Sequence, residues 1–254
     1  MFISNKSNFI NLSIPLPKGA RVKRVPVILS ILLLPILLHA SPKLEFKERL
    51  VKSATEKAKK GDPNAQFTLG EMYYLGFLGK KDYEKAIYWY EKAAEGGHVK
   101  AEFNLGYIYF TGKGVKRDYK KALEWFLKAA EDEDPKAMRY LGEIYYKGLG
   151  VDKDYKKAFY WYKKTADLGY PKAQYQVGIM YRRGLGVDKD IYKAKYYLKR
   201  SAVQSCAEAE FELGKMYLSG DGIEKDEEKA VRLLKKALKD GKQEAKEYLE
   251  KLEN

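Results

Sequence analysis

The sequence is short of the residues on which most metal and redox centres depend. One cysteine and two histidines occur among its 254 residues. A single cysteine excludes an internal disulfide framework and a cysteine-based zinc site, and two histidines leave little room for a histidine-based metal centre. These shortages argue against most catalytic chemistry, so we expect no cofactor.

Acidic residues are missing from the first 40 positions, which carry five of the basic residues. Without that stretch the net charge falls from +14 to +9. Lysine and glutamate alternate through most of the remaining sequence, which is typical of a solvated helical surface and not of a basic nucleic-acid-binding stripe. We therefore expect no nucleic-acid partner.

Long apolar runs are also scarce, and the one before Ala40 is short. It covers residues 25–38, about 14 residues interrupted by Pro26 and Pro35, whereas a membrane-spanning helix needs about 20. Basic residues precede it and the small residue Ala40 follows it, an order typical of a secretory signal peptide. We expect residues 1–40 to be a targeting segment, with a signal peptide over about 21–40 that is cleaved after Ala40. The protein would then be exported, periplasmic or secreted; the alternative is an uncleaved membrane anchor.

Internal repetition is what the sequence has in abundance. A Leu-Gly-x-x-Tyr motif, with valine for leucine in the fourth copy, recurs every 36 residues without insertion, and its glycines are Gly70, Gly106, Gly142, Gly178 and Gly214. An alanine series keeps the same spacing: Ala86, Ala122, Ala158, Ala194 and Ala230. So does an acidic series: Asp82, Asp118, Asp154, Asp190 and Asp226. An aromatic series runs through Trp89, Trp125, Trp161 and Tyr197 and ends in Leu233. Five copies in strict register indicate a repeat protein.

Each copy predicts two helices joined by a glycine-rich turn. In the second copy, Ala101, Leu105 and Ile108 form one apolar stripe at helical spacing. Gly112 follows, and glycine suits the left-handed conformation just past a helix end. Asp118 is placed to cap the next helix. The fold class is therefore all-α.

A glycine inside the first helix of every copy needs an explanation. Gly106 costs about 1 kcal/mol relative to alanine at such a position, so we expect a close helix–helix approach against Ala122 and Ala129. The tryptophans lie at helical spacing, which favours core packing over a ligand site.

The two ends of the array predict single helices. Residues 43–60 match a lone second helix that opens the array, and residues 242–253 match a lone first helix that closes it. Five repeats of about 62–241 lie between them, so residues 41–254 form one repeat domain.

The shared pattern of alanine, Leu-Gly-x-x-Tyr, a Gly-x-Gly-Val turn, aspartate, Lys-Ala and tryptophan resembles the Sel-one-like repeat (SLR) family over about residues 45–252. The resemblance implies a right-handed α-solenoid of tetratricopeptide type. It also implies a protein–protein interaction scaffold or adaptor that binds a peptide or protein segment in a concave groove. The secreted Helicobacter-type cysteine-rich proteins look similar, although this chain lacks their paired cysteines.

Some of that group are described as penicillin-binding or β-lactamase-like, so a hydrolase is the alternative function. Serine β-lactamase chemistry commonly uses Ser-x-x-Lys, and no serine after Ala40 has lysine three positions on. We interpret His98 as a solvent-exposed turn residue and Cys206 as an incidental free thiol. A binding module is favoured over an enzyme, and a purely structural spacer stays open.

First-helix positions outside the apolar stripe are expected to line the groove. The candidate groove residues are Tyr107, Arg139, Glu143, Tyr146, Lys147, Tyr175, Arg182 and Arg183. Ile179 maps to the same face, while Phe103 and Phe211 either line the groove or pack between repeats. Arg182 and Arg183 have no core role in this interpretation. Arginine offers bidentate hydrogen bonds to carboxylates and tyrosine offers flat apolar contact, so we expect an acidic protein segment near copies three and four.

Overall fold

The computed structural model describes residues 47–253, and all regular secondary structure in that range is helical. Helix α1 covers residues 47–59. Five pairs follow: α2 (Pro63–Leu75) with α3 (Tyr83–Glu95), α4 (Val99–Thr111) with α5 (Tyr119–Glu131), α6 (Pro135–Lys147) with α7 (Tyr155–Asp167), α8 (Pro171–Arg183) with α9 (Ile191–Val203), and α10 (Ala207–Ser219) with α11 (Glu227–Lys239). Helix α12 (Ala245–Glu253) ends the array.

The strict 36-residue spacing appears as helices of constant length, because each of the ten paired helices has 13 residues. The chain divides at Leu50, and all five pairs lie in the unit Val51–Asn254. The predicted α-solenoid of helix pairs is confirmed. No helix within residues 47–253 is long and apolar enough to cross a membrane. The predicted signal peptide and its cleavage site lie outside the described residues.

The helix ends follow the predicted capping chemistry. In each of the five copies, the second helix begins after an aspartate whose carboxylate accepts a hydrogen bond from the backbone N–H three residues later. Asp154, for example, accepts from Lys157 at 2.9 Å. The first helix of each copy ends at a glycine with a positive φ, such as Gly112 at 69°. The closing helix starts at Ala245 instead of the predicted residue 242, after a turn at residues 243–244.

The glycine inside each first helix allows the partner helix to approach closely, as predicted. A Cβ built on Gly106 would lie 2.6 Å from Cδ1 of Phe126. The predicted neighbours Ala122 and Ala129 are buried in the same core cluster, but the atoms that fill the space above the glycine belong to the Phe126 ring. The close approach of the two helices is confirmed, but the side chain that contacts Gly106 is the large Phe126 instead of an alanine.

A repeated cation–π pair joins the two helices of each copy. The lysine that precedes the repeat alanine lies over the tyrosine of the Leu-Gly-x-x-Tyr motif, with Nζ between 5.1 and 5.8 Å from the ring centroid. The pairs are Lys85–Tyr73, Lys121–Tyr109, Lys157–Tyr145, Lys193–Tyr181 and Lys229–Tyr217. These lysines and tyrosines therefore have a structural role, since each pair adds attraction between the helices of one copy.

Candidate functional site

The first helices of copies one to three together form a groove of about 390 Å³, which we call the first-helix groove. Helices α2, α4 and α6 contribute its lining: Glu71, Tyr74, Phe103, Asn104, Tyr107, Lys136, Arg139 and Tyr140. A pocket of this size, lined by aromatic side chains with a few charged groups, has the usual character of a binding site.

Aromatic rings form a continuous surface around Tyr140. Its ring is parallel to that of Phe126, with centroids 5.0 Å apart, and meets Phe110 edge-on at 4.9 Å. Phe103 and Tyr107 of α4 lie 6.0 and 5.9 Å from it. Because these rings come from two neighbouring copies and pack on one another, the surface is preorganised for flat contacts.

The charges of the groove are unevenly distributed. Glu71 is held in place, since its Oε1 accepts hydrogen bonds from the Tyr90 hydroxyl at 2.7 Å and the Asn104 amide at 2.9 Å. Burial, and next the bond to Glu71, raises the pKa of Tyr90. At the other end Lys136 is exposed and makes no ion pair with any residue in the described range. The guanidinium of Arg139 lies 4.1 Å from the Tyr140 ring centroid.

In copy three the structure pairs most of the predicted charges with one another. Glu143 accepts a hydrogen bond from Lys147 one turn later, and its Oε2 lies 3.7 Å from Nη1 of Arg139. Tyr146 packs on the rings of Tyr155 and Tyr162 instead of extending into solvent. Of the predicted set, only Tyr107 and Arg139 therefore line the first-helix groove.

Copy four differs more strongly from the sequence-based map. Ile179 is only 4% exposed and packs against copy five, so its assignment to the exposed face is wrong. Tyr175 packs against the same cluster, and burial raises its pKa to about 12. Tyr175 is therefore a partly buried packing residue, and its ring is not fully exposed as predicted.

The two arginines of copy four have separate roles. Arg182 donates from Nη1 to Glu212 at 2.7 Å and from Nε to Asp221 at 3.2 Å. The expectation that Arg182 lacks a structural role is therefore wrong, because it joins copies four and five. Arg183 is exposed and makes no ion pair within residues 47–253, so it stays available to a partner.

The two phenylalanines left open by the sequence both pack between repeats. Phe211 is 7% exposed, and its ring meets Tyr248 of α12 edge-on at 5.3 Å. Phe103 contacts Tyr140 of the next copy and also lines the first-helix groove. For Phe103 the packing and groove roles coincide.

His98 and Cys206 occupy the N-cap positions of α4 and α10, and only His98 makes a side-chain capping hydrogen bond. His98 is half-buried, stacks on Phe67 at 4.3 Å, and accepts the Ala101 amide at Nδ1; the interpretation of an exposed turn residue is wrong. Burial lowers the pKa of His98 and raises that of the buried Cys206 thiol. A thiol of raised pKa is a poor nucleophile at neutral pH. No cluster of three His, Cys, Asp or Glu residues suited to a metal occurs in the described range.

Sequence reasoning missed several groove residues. Tyr140 and Lys136 contribute the aromatic centre and the exposed cation, and Asn104 extends the groove toward copy one. The groove positions of Phe103 and Tyr107 could be inferred from the sequence, because residues four apart lie on the same face of a helix. The contribution of Tyr140 could not be inferred in this way, because it depends on contacts across the boundary between copies.

Comparisons with known proteins agree with the helix pairs. The sequence profile of the Sel1 repeat matches residues 63–98, 99–134, 135–170, 171–204 and 207–242. A Sel1 repeat protein from Oxalobacter formigenes superposes with a TM-score of 0.68 at 36% identity, over 72% of this chain and 75% of that one. No curated protein matches the chain.

Two further solved structures are similar. One is a protective antigen of uropathogenic Escherichia coli that displays an SLR fold, with a TM-score of 0.75 and 32% identity over 78% of this chain and 43% of that one. The present chain thus spans less than half the length of that antigen. The other is Helicobacter pylori cysteine rich protein B, with a TM-score of 0.40 and 27% identity over 53% of this chain and 96% of that one.

Proposed function

Because the chain belongs to the Sel1 repeat family, whose members are protein-interaction scaffolds, we propose that it binds a protein segment in the first-helix groove. The observation that carries the proposal is the combination of a packed aromatic surface with two cations, Lys136 and Arg139, while the one acid of the lining, Glu71, already holds two hydrogen bonds.

This chemistry favours an extended segment with acidic residues beside an aromatic or aliphatic one. Arg139 can offer paired donors to a carboxylate while its stacking on Tyr140 limits the rotamer entropy lost on binding. Lys136 adds a second positive charge at the same end of the groove. Arg183 extends the positive surface into copy four as an exposed cation. The partner class is therefore an acidic peptide or protein segment.

Selection from a phage-displayed random peptide library tests the groove directly. We expect the wild-type protein to enrich peptides with acidic residues next to an aromatic one. The Lys136→Glu/Arg139→Glu variant should capture the enriched peptides at least about tenfold less well, since reversed charges repel the carboxylates. Raised salt should weaken capture, because exposed charges are screened over about 8–10 Å at physiological ionic strength.

A control with the same change in net charge is Lys120→Glu/Lys156→Glu, at exposed positions of α5 and α7. It should capture the enriched peptides as well as the wild type does. Equal capture by the groove variant, or enrichment of peptides without acidic residues, would contradict the proposed groove.

We also propose that the protein works outside the cytoplasm, in the periplasm or the surroundings of the cell. The support is the basic stretch, short apolar run and small residue that end at Ala40. N-terminal sequencing of the protein recovered from periplasm or medium should find Ser41 as the first residue. A mature chain that still contains residues 25–38 would instead indicate an uncleaved anchor.

A further inference from the structure

A second groove of about 450 Å³ lies among α9, α10 and α11, and we call it the second-helix groove. Its lining is Lys199, Ala202, Val203, Leu213, Tyr217, Lys229, Arg232, Leu233 and Lys236. Ala202 and Leu213 are buried at its base, whereas Val203 is 84% exposed at its edge. None of these residues belongs to the first-helix groove, so the two sites are independent.

The second-helix groove is open because the repeat pattern changes at Leu233. The equivalent positions in the first four copies carry Trp89, Trp125, Trp161 and Tyr197. In the first copy Trp89 packs against the core cluster that contains Leu69, and Tyr73 packs against the same cluster. In copy five Leu233 packs against the cluster that contains the corresponding Leu213. Leu213, Tyr217 and Leu233 all line the groove, because leucine fills less of this space than an indole ring does.

The earlier copies also show how this position holds an aromatic ring. Lys128 Nζ lies 4.3 Å from the Trp125 ring centroid, and Lys164 Nζ lies 5.9 Å from that of Trp161. The equivalent of these lysines in copy five is Lys236, which lines the groove without a ring to cover. Its Nζ is 2.6 Å from Oε1 of the buried Glu210, while the Lys236 side chain itself is 45% exposed.

The edge of the second-helix groove is positively charged. Lys199 and Arg232 are exposed there and make no ion pair within the described part of the chain. No acidic residue belongs to its lining. Val203 occupies the position that is acidic in the first three copies, where the residues are Glu95, Glu131 and Asp167. The exchange of an acid for valine makes the edge both more apolar and more positive.

We propose that the second-helix groove binds the aromatic side chain of a partner protein segment, tryptophan above all, with acidic residues on both sides of it. The incoming indole takes the place that Trp125 and Trp161 fill in their own copies, and Lys236 lies over its face. The flanking carboxylates pair with Lys199 and Arg232 at the edge. A tryptophan anchor in an apolar pocket with charged flanks is a common form of energetic hot spot.

Methyl-labelled protein and a synthetic peptide test the proposal. The probe is a capped pentapeptide with tryptophan at its centre and two acidic residues on each side. We expect its titration to shift the NMR methyl signals of Val203, Leu213 and Leu233, with smaller changes elsewhere. A peptide with alanine at the centre should bind at least about tenfold more weakly, because the anchor is missing.

Leu233→Trp restores the repeat pattern and should close the groove from within. We expect the methyl signals of Val203 and Leu213 to shift in the free variant, and peptide binding to be lost. Lys199→Glu/Arg232→Glu keeps the groove open and should also abolish binding, whereas Lys235→Glu/Lys239→Glu, with the same charge change on exposed positions of α11, should not.

Three results would overturn the proposal. One is equal binding of the tryptophan and alanine peptides, since the ring would then contribute nothing. Another is peptide-induced shifts that avoid Val203, Leu213 and Leu233. The third is a folded Leu233→Trp or Lys199→Glu/Arg232→Glu variant that binds the tryptophan peptide as tightly as the wild type does.

Discussion

Gly142 of α6 lies directly against the ring of Tyr162 in α7: a Cβ added to the glycine would stand 2.6 Å from Cδ1 and 2.8 Å from Cγ of that ring. Cγ is anchored to the helix backbone through a single carbon, so the ring cannot simply swing away. The contact makes the spacing of the two helices depend on a missing methyl group. The same relationship recurs between Gly70 and Tyr90.

We expect Gly142→Ala to lower the free energy of unfolding by about 1–3 kcal/mol through overpacking, although alanine favours helices by about 1 kcal/mol over glycine. In a Tyr162→Ala background the same change should stabilise, since the clash is gone. Denaturant unfolding of the four proteins of this double-mutant cycle measures the coupling. No coupling between the two sites would contradict the contact.

Glu102 is expected to destabilise the protein at neutral pH. At the equivalent position Gln66 donates from Nε2 to Ala58 O, and Gln174 donates to Ala166 O. A carboxylate cannot donate, and the buried Oε2 of Glu102 has no hydrogen-bond partner. Burial first, and then repulsion from Asp132, raises the pKa of Glu102 above its ordinary value.

Because its folded-state pKa is raised, Glu102 favours the folded state most at low pH, and this contribution is lost as the pH rises through the folded value. Glu102→Gln should therefore raise the free energy of unfolding at neutral pH by about 1 kcal/mol. The gain should shrink as the pH falls and Glu102 takes up its proton. Thermal melts of both proteins across the acid range measure this, and a gain independent of pH would contradict it.

The cap at His98 should make stability sensitive to mild acid. Its Nδ1 must be unprotonated to accept the Ala101 amide, and burial, with a smaller effect of Lys100, lowers its pKa below the ordinary 6.5. The lowered folded pKa contributes stability that is complete above about pH 6.5 and is lost as the pH falls toward the folded value.

His98→Asn keeps a capping acceptor without a titrating group. We expect the wild type to lose up to about 1 kcal/mol, the usual size of such a cap, between pH 7.5 and 5.5 relative to this variant. All other ionisable groups are common to the two proteins, so the difference isolates His98. Parallel pH profiles of the two melting temperatures would show that the histidine cap does not titrate in this range.

Arg182→Ala should loosen the boundary between copies four and five. It removes the contacts to Glu212 and Asp221 and leaves Glu212, whose side chain is 12% exposed, with Lys215 as its ion pair. We expect a loss of about 1 kcal/mol, with faster amide exchange in α10 and α11 and no change in α2 and α3, since repeat arrays transmit stability between neighbours.

Arg183→Ala is the matched control, because Arg183 is exposed and makes no ion pair among the described residues. Its effect on stability should stay within about 0.5 kcal/mol. The two arginines also differ as sites for binding tests. Arg182→Glu would place a second negative charge beside Glu212, so a loss of partner binding by that variant would not separate a damaged repeat array from a lost binding contact. Arg183→Glu changes the exposed charge without that complication. Equal amide exchange in both alanine variants would contradict the structural role of Arg182.

The number of repeats and the capping of their helices could be predicted from the sequence because they depend on local interactions. Asp154 finds its amide three residues on, and Gly112 ends its helix through its own φ. The solenoid class follows from five such units in register. The role of the helix-interior glycines in close helix packing could also be predicted, but the side chains that contact them, such as Phe126 and Tyr162, could not.

The binding surfaces depend on contacts between copies, which lie beyond the reach of helical periodicity. Arg182 meets acids 30 and 39 residues away, and only the packing of copy four on copy five determines that these charges cancel. Tyr140 becomes the centre of the first-helix groove because Phe103 and Tyr107 of another copy pack on it. Sequence alone showed that Leu233 breaks the aromatic series. The tertiary structure decided that this change leaves an open groove, since the neighbouring helices do not close over the smaller side chain.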